Sequence, residues 1–275
     1  MTTSVKALIL TGFGTNCEME MAHACRLGGA DQADIVHISE LLHGEYRLDD
    51  YHFLNLPGGF LDGDDLGAGQ AGAHRIRYAR VAPDNQPLIE HLLRFIQAGK
   101  LVLGVCNGFQ LMVKLGLLPG FDHDYQSRRV SLTNNESGRF EDRWVTLRAE
   151  PGSPCVFTRG LGTITLPVRH GEGKLVAEDE AVMKRIEGEQ LVCLRYIDPS
   201  TGQQTMEYPL NPNGSPAAIA GLCDPTGRVF GLMPHPEAFL HRTNHPRWTR
   251  EDLPEEGQGL ALFRNAVEFL RQQDL

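Results

Sequence analysis

The residue best placed to act as a nucleophile in this sequence is Cys106. It lies in Gly104-Val-Cys-Asn-Gly108, between the apolar run Leu101–Val105 and a helical pattern over Asn107–Leu115. Glycines two residues to either side are typical of a nucleophile elbow, a strained strand-to-helix turn that exposes the nucleophile above the sheet. The positive end of the following helix favours the thiolate, which is the reactive form of cysteine. The alternative is an inert cysteine buried in a tight turn.

Two histidines are candidates for the base that a thiol nucleophile needs. His235 follows the apolar run Val229–Met233 in a Pro-His-Pro-Glu turn, and Glu237 is close enough in the chain to orient its imidazole. His170 lies in a glycine-rich loop and also has an acid nearby, Glu172. The spacing favours His235 only slightly, so His170 stays open as the alternative.

Two backbone N–H groups are candidates for stabilising a developing oxyanion. One is the N–H of Asn107, directly after the candidate nucleophile, and the other is that of Gly59 in a Pro-Gly-Gly turn. This turn follows the apolar run Tyr51–Leu56. Ligands of open α/β sheets bind outside the carboxyl ends of the strands, so we expect both donors at the edge that carries Cys106.

The elements that must position these residues follow an α/β pattern. Apolar runs alternate with amphipathic helices in the first half, which predicts a doubly wound, mostly parallel sheet flanked by helices. The second half is richer in short β runs, namely Trp144–Leu147, Thr163–Val168, Leu191–Tyr196, Ala217–Leu222 and Val229–Met233. We expect Asn16 to cap the first helix. We also expect one domain over residues 1–275, with insertions near 134–143, 198–213 and 241–254.

Composition narrows the class of protein. The chain has 275 residues, of which 41% are hydrophobic and 22% charged, and these values are ordinary for a globular protein. The formal net charge of −9 argues against binding to nucleic acid or to an anionic membrane surface. No signal-peptide pattern and no run of about 20 apolar residues is present, so a cytoplasmic location is expected.

Cofactor and metal motifs are missing from the sequence. It contains no G-x-x-x-x-G-K-[ST] loop and no H-E-x-x-H pair, and His241 and His245 lack a third ligand at an obvious spacing. The six cysteines are scattered without a C-x-x-C pair, which predicts free thiols. We therefore expect no cofactor and no metal in this chain.

The motifs together resemble the class I glutamine amidotransferases, a family with a Cys-His-Glu triad and a flavodoxin-like fold. The matching segments occur in the family's order: Gly12–Glu18, Pro57–Phe60 with Gly63-Asp64, Gly104–Gln110, His170–Gly173 and Pro234–Glu237. They are most similar to one branch, the glutaminase subunits of an ATP-dependent synthetase of purine biosynthesis. The resemblance extends from about Ala7 to the C-terminal helix. Leu61-Asp62 depart from it, because a Ser-aromatic pair is usual there.

The resemblance implies both a reaction and the residues that perform it. Cys106 would attack the side-chain amide of glutamine, release ammonia and form a γ-glutamyl thioester that water hydrolyses. The implied roles are catalytic for Cys106, His235 and Glu237, oxyanion hole for Gly59 and Asn107, and glutamine binding for Gln110, His170 and Gly171.

The resemblance also implies partners, and it leaves alternatives open. Glutamine would be the substrate and a synthetase subunit the partner, with ATP and Mg on that partner and a small accessory subunit as a further candidate. One alternative is an amidotransferase for another acceptor, or a stand-alone γ-glutamyl hydrolase. Another is a non-catalytic redox sensor of the same fold with Cys106 as its oxidisable thiol. A sensor needs no proton shuttle, so the Pro-His-Pro-Glu turn argues against it. A cysteine peptidase fits the motifs less well.

Overall fold

The computed structural model describes residues 4–273. Its strands are β1 (Lys6–Thr11), β2 (Gln32–His37), β3 (Phe53–Leu56), β4 (Arg80–Val81), β5 (Gln86–Pro87), β6 (Leu101–Val105), β7 (Val130–Thr133), β8 (Glu141–Ala149), β9 (Thr163–His170), β10 (Lys174–Ala177), β11 (Val192–Tyr196), β12 (Ile219–Cys223) and β13 (Val229–Leu232). Its helices are α1 (Glu18–Leu27), α2 (Ile38–Leu42), α3 (Gln70–Tyr78), α4 (Leu88–Gln97), α5 (Asn107–Leu115), α6 (Glu180–Gly188) and α7 (Leu260–Arg271).

A nine-stranded sheet forms the centre of the protein, in the order β2-β1-β3-β6-β13-β12-β11-β8-β9. The first five strands of this order run parallel, and β12, β11, β8 and β9 each run antiparallel to the preceding neighbour. Every residue of β3 and of β6 is buried, as expected where helices cover both faces of a parallel sheet. The predicted α/β class is confirmed, and the short β runs of the second half form the antiparallel extension.

The register of the parallel strands brings three chain segments to one edge of the sheet. Leu56 at the end of β3 lies opposite Gly104 on β6, and Leu232 at the end of β13 lies opposite Val105. The residues that follow these three strands therefore start side by side. They contain the Pro-Gly-Gly turn, the candidate nucleophile and the Pro-His-Pro-Glu turn.

The start of α1 differs from the expectation. The residue that precedes the helix is Cys17 and its side chain makes no capping hydrogen bond, so the predicted cap at Asn16 is wrong. The Oδ1 atom of Asn16 instead accepts a hydrogen bond from the Cys17 thiol at 3.2 Å.

Two of the three segments predicted as insertions lie between the named strands and helices, and the third lies there only in part. Residues 134–143 comprise the link from β7 to β8 and the first three residues of β8, residues 198–213 lie between β11 and β12, and residues 241–254 precede α7. Their status as insertions, and the single domain over 1–275, stay predictions. Within residues 4–273, no helix combines the length and apolar character needed to cross a membrane.

Candidate active site

Cys106 lies in the strained elbow that the glycine spacing predicts. Its φ angle is +52°, a left-handed conformation that is unusual for a residue other than glycine, and α5 begins at the next residue. A Cβ atom on Gly108 would overlap the carbonyl oxygen of Leu56, and one on Gly104 would overlap the Met112 side chain. The flanking glycines are therefore required by close packing. The Cys106 thiol donates to the carbonyl oxygen of Arg169 at 3.4 Å.

His235 and Glu237 form a buried hydrogen-bonded pair. The distance from His235 Nδ1 to Glu237 Oε1 is 2.6 Å, and the two side chains are 3% and 1% exposed. His235 Nε2 has no hydrogen-bond partner in the described part of the chain. Because the carboxylate occupies Nδ1, Nε2 is the nitrogen left to exchange a proton with a nucleophile.

The charges around His235 favour its protonated form. Burial alone would lower the pKa of His235, because it penalises the charged ring. The Glu237 carboxylate and the Cys106 sulfur outweigh this effect, and the pKa lies well above its ordinary value. The pair is therefore arranged to hold an imidazolium next to a sulfur.

His170, the alternative base, has a different environment. Its Nδ1 atom lies 3.0 Å from Asn135 Oδ1, and burial together with the charge of His235 lowers its pKa to about 3. Its loop neighbour Glu172 instead accepts the N–H of Ala68 at 3.2 Å. An imidazole with so low a pKa is a weak base, and no carboxylate orients its ring, so the geometry favours His235.

The two predicted oxyanion donors lie on facing segments. An isolated bridge joins Thr15 to Gly59 and uses the N–H groups of Asn16 and Phe60, so the N–H of Gly59 takes no part in it. Gly59 has φ +135°. Asn107 is the first residue of α5, where backbone N–H groups have no partner within the helix. Neither N–H group therefore has an assigned hydrogen-bond partner among the described residues.

The Asn107 side chain links α5 to the turn that carries Gly59. Its Oδ1 accepts the N–H of Leu61 at 3.0 Å, and its Nδ2 donates to Gln110 Oε1 at 3.0 Å. Gln110 Nε2 in turn donates to the carbonyl oxygen of Glu172 at 2.6 Å. The Gln110 side-chain amide therefore ties α5 to the loop after β9. Its oxygen and its nitrogen are both hydrogen-bonded within the protein.

The departure at Leu61-Asp62 has a structural explanation. The Leu61 side chain is buried in the core, where it lies close to Gly12 and Gly72. Asp62 pairs with Arg75 on α3 at 2.9 Å. The two residues therefore anchor the turn after β3 to the body of the protein.

A cavity of about 440 Å³ brings most of the predicted residues together. Cys106, Gly59, Gln110, His170, Gly171 and His235 line it. Asn107 and Glu237 do not line it: Asn107 is buried at the start of α5, and Glu237 is buried behind His235.

Charged groups that the sequence analysis did not assign also line this cavity. They are Arg169, Glu20, Asp64 and Glu172. Burial, and then the charge of Glu172, raise the pKa of Asp64. Within residues 4–273 the Oδ1 atom of Asp64 is buried without a hydrogen-bond partner. These acids are spread along the chain, and only Asp64 and Glu172 fall in motifs that the sequence analysis quoted.

A second thiol lies beside the histidine pair. Cys17 Sγ is 3.9 Å from His235 Nδ1, and ligand atoms of Cys17, His235 and Glu237 lie within 4.8 Å of one another. Burial raises the pKa of the Cys17 thiol. This donor set has the composition of a metal site, but Nδ1 of His235 is already bound by the Glu237 carboxylate. The glycine turn after β1 is the sequence signal that could have indicated Cys17.

The comparisons with known proteins agree with this geometry. A model of the CobB/CobQ-like glutamine amidotransferase domain matches residues 4–270. The chain belongs to this family of glutamine amidotransferases.

Its relatives narrow the family further. Phosphoribosylformylglycinamidine synthase subunit PurQ of Dehalococcoides mccartyi is 45% identical over 98% of this chain and 99% of the relative. The protein of that name from Methanococcus maripaludis is 41% identical over 97% and 98%. A chain in the structure of PurLQS from Thermotoga maritima is 27% identical, with a TM-score of 0.69, and the match covers 98% of this chain and 100% of that one. Within the amidotransferases, the chain therefore groups with these synthase subunits.

Proposed function

We propose that the chain is the glutaminase subunit of phosphoribosylformylglycinamidine synthase, an enzyme of purine biosynthesis in the cytoplasm. It hydrolyses glutamine and delivers ammonia to an ATP-dependent synthetase subunit. That partner converts formylglycinamide ribonucleotide to formylglycinamidine ribonucleotide. The observation that carries the chemistry is the placement of Cys106 and His235 in one cavity, with His235 Nδ1 held by Glu237 at 2.6 Å.

The first half of the reaction forms the thioester. The proton of the Cys106 thiol passes to His235 Nε2, and the resulting thiolate attacks the side-chain amide carbon of glutamine, so that negative charge moves to the amide oxygen. The N–H groups of Gly59 and Asn107 stabilise that oxygen. His235 Nε2 then delivers a proton to the amide nitrogen, the C–N bond breaks, and ammonia leaves a γ-glutamyl thioester on Cys106.

The second half releases glutamate. His235, now neutral, takes a proton from a water molecule that attacks the thioester carbon. The C–S bond breaks, glutamate forms, and the sulfur and His235 return to their starting state. Glu237 holds Nδ1 throughout, so the ring presents the same nitrogen in both steps.

The charges of the cavity match the two ends of the amino acid. The Arg169 guanidinium suits the α-carboxylate of glutamine. Asp64 and Glu172, whose charges repel each other, suit the α-ammonium group, and the unpartnered Asp64 Oδ1 is an acceptor for it. His170 and Gly171 line the same space, whereas Gln110 contributes by holding the loop that carries them.

A partner is needed because the ammonia is used in a synthesis that consumes ATP. The chain itself has no P-loop motif for binding that nucleotide. We place ATP and Mg on the synthetase subunit, with a small accessory subunit as a further partner. The names of the relatives and the PurLQS assembly support this partnership.

The test measures glutamate and ammonia released from glutamine by the purified chain. The assay is run with and without the synthetase subunit, ATP and formylglycinamide ribonucleotide. We expect release that depends on the partner and is lost in Cys106→Ala. Cys25→Ala is the matched control, because Cys25 is a buried thiol on α1 away from the cavity.

Other outcomes would favour the alternatives. Glutamate release by the chain alone, unchanged by the synthetase, would support the Cys-His-Glu chemistry but contradict the role in purine biosynthesis. It would favour a stand-alone hydrolase or an amidotransferase for another acceptor. Absence of release from well-folded protein under all conditions would favour the redox sensor.

A further inference from the structure

Three buried thiols that the glutaminase reaction does not use meet in the core. Cys155 follows β8, Cys193 lies on β11 and Cys223 ends β12. At most 2% of any of the three residues is exposed, and their sulfur atoms all lie within 4.8 Å of one another. We refer to these three residues as the thiol cluster.

The thiol cluster is remote from the glutaminase site along the strands. Cys223 pairs with Phe230, near the start of β13, whereas the catalytic edge begins at the other end of that strand, after Leu232. Its sulfurs are therefore not part of the cavity that contains Cys106.

Backbone hydrogen bonds join the segments that carry the thiol cluster. The backbone N–H of Cys223 donates to the carbonyl oxygen of Leu191 at 2.9 Å, which ties β12 to the start of β11. The N–H of Val156 donates to Gly227 at 3.0 Å, and a Cβ atom on Gly227 would overlap the carbonyl oxygen of Pro154. The positions of the three cysteines are thus set by backbone contacts.

A hydroxyl group completes the arrangement. Ser153 Oγ lies 3.6 Å from Cys193 Sγ and 3.7 Å from Cys223 Sγ. Zn–S bonds of about 2.3 Å and a Zn–O bond of about 2.0 Å in a tetrahedron imply S···S distances of about 3.8 Å and S···O distances of about 3.5 Å. The two oxygen–sulfur distances are close to the second value, and the sulfur atoms, which lie within 4.8 Å of one another, need only a modest contraction to reach the first.

We propose that the thiol cluster binds one Zn(II) ion, with the Ser153 hydroxyl as the fourth ligand. Binding replaces three S–H protons by three Zn–S bonds, so three protons are released and the bound group carries a charge of −1. A thiophilic cation with a filled d shell is favoured because sulfur is the majority donor. The site would pin residues 153–155 to β11 and β12, and it departs from the expectation of no metal in this chain.

The experiment loads the full chain, reduced and freed of metal, with Zn(II) and in parallel with Co(II) and Cu(I). We expect one Zn(II) per chain that survives dialysis, three protons released per ion, and thiolate-to-metal absorption with tetrahedral Co(II) bands. Cys193→Ala is expected to lose the bound ion, and Cys25→Ala to retain it. Ser153→Ala is expected to weaken binding by about tenfold while the thiolate absorption persists.

Three outcomes would overturn the proposal. The first is a folded wild-type chain that binds neither Zn(II) nor Co(II), which would identify the thiol cluster as apolar packing. The second is stoichiometric binding of Cu(I) alone, which would replace zinc by a trigonal thiolate site. The third is a disulfide within the thiol cluster in the isolated protein and no metal after its reduction. Circular dichroism of each variant separates loss of the ion from loss of the fold.

Discussion

The carboxylate of Glu237 is the group whose removal tests the proton-transfer chemistry most sharply. In the wild-type chain, His235 Nδ1 lies 2.6 Å from Glu237 Oε1. Glu237→Gln keeps an oxygen that can accept this hydrogen bond, but it removes the negative charge. The substitution therefore separates the electrostatic role of the side chain from its role in orienting the ring. Glu237→Ala removes both roles.

The size of the electrostatic effect follows from the burial of the pair. Both side chains are almost fully buried, so water screens the interaction little. Unit charges about 4 Å apart at an effective dielectric constant of about 20 interact by about 4 kcal/mol. Loss of an interaction of this size is expected to lower the pKa of His235 strongly. Glutaminase turnover is expected to fall by about a hundredfold to a thousandfold.

The assay is the pH dependence of glutamate release in the activated complex. The folded-state pKa of His235 is raised, so the protonated ring is lost only as the pH rises through that higher value. Glu237→Gln lowers this pKa, and the alkaline limb of the profile is expected to move to lower pH. The stability that the charged pair contributes is complete below the ordinary histidine pKa of about 6.5 and is lost on the alkaline side. That dependence should disappear in the variant.

The control and the contradicting result are well defined. Glu178→Gln removes a carboxylate from an exposed pair with Arg129 and is expected to leave the profile unchanged. If Glu237→Gln turns over at the wild-type rate with the alkaline limb in its original position, the Glu237 charge is not what supports His235.

Three further predictions concern the cavity. Gly59 has φ +135°, and in Gly59→Ala the new Cβ atom would lie 2.6 Å from the Gly14 carbonyl oxygen. The substitution is expected to displace the oxyanion donor and to lower kcat by about 10²–10³-fold with KM nearly unchanged. A wild-type kcat would contradict this role of Gly59. Asn107→Ala leaves the Leu61 N–H without its acceptor and is expected to cost about 1–3 kcal/mol in urea unfolding; an unchanged midpoint would remove the role of that bond. Asp64→Asn is expected to raise KM for glutamine by about ten- to a hundredfold with a smaller change in kcat; a change in kcat alone would argue against α-ammonium binding.

Local patterns were enough to predict the elements that carry the nucleophile. The strand Leu101–Val105 and the helix Asn107–Leu115 occur with the predicted bounds, because the apolar run, the glycines and the helical periodicity lie within one short segment. The signals for α3 (Gln70–Tyr78) were weaker. That helix follows a left-handed Gly69 and has no side-chain cap.

Contacts between distant segments could not be read from the sequence. The choice between His235 and His170 depends on which ring meets a carboxylate and which meets Asn135, and Asn135 lies on a different loop. The spacing of histidines and acids left that choice open. The antiparallel order of β12, β11, β8 and β9 likewise depends on pairing between segments far apart in the chain.

The thiol cluster was hidden for the same reason. Its three cysteines are widely separated in the sequence and show no ligand spacing, and only the register of β11 with β12 brings two of them near the loop that carries the third. The role of Cys17 beside His235 also depends on the approach of two strand ends.

The central claim is that Cys106 carries the γ-glutamyl group, and the most direct measurement is to trap that group. The chain, in complex with the synthetase subunit and its substrates, is mixed with glutamine and quenched with acid during turnover. Peptide mass spectrometry then locates the glutamyl adduct. The account predicts the adduct on the peptide that contains Cys106 and its absence in Cys106→Ala. An adduct on Cys17, or steady glutamate formation by Cys106→Ala, would contradict it.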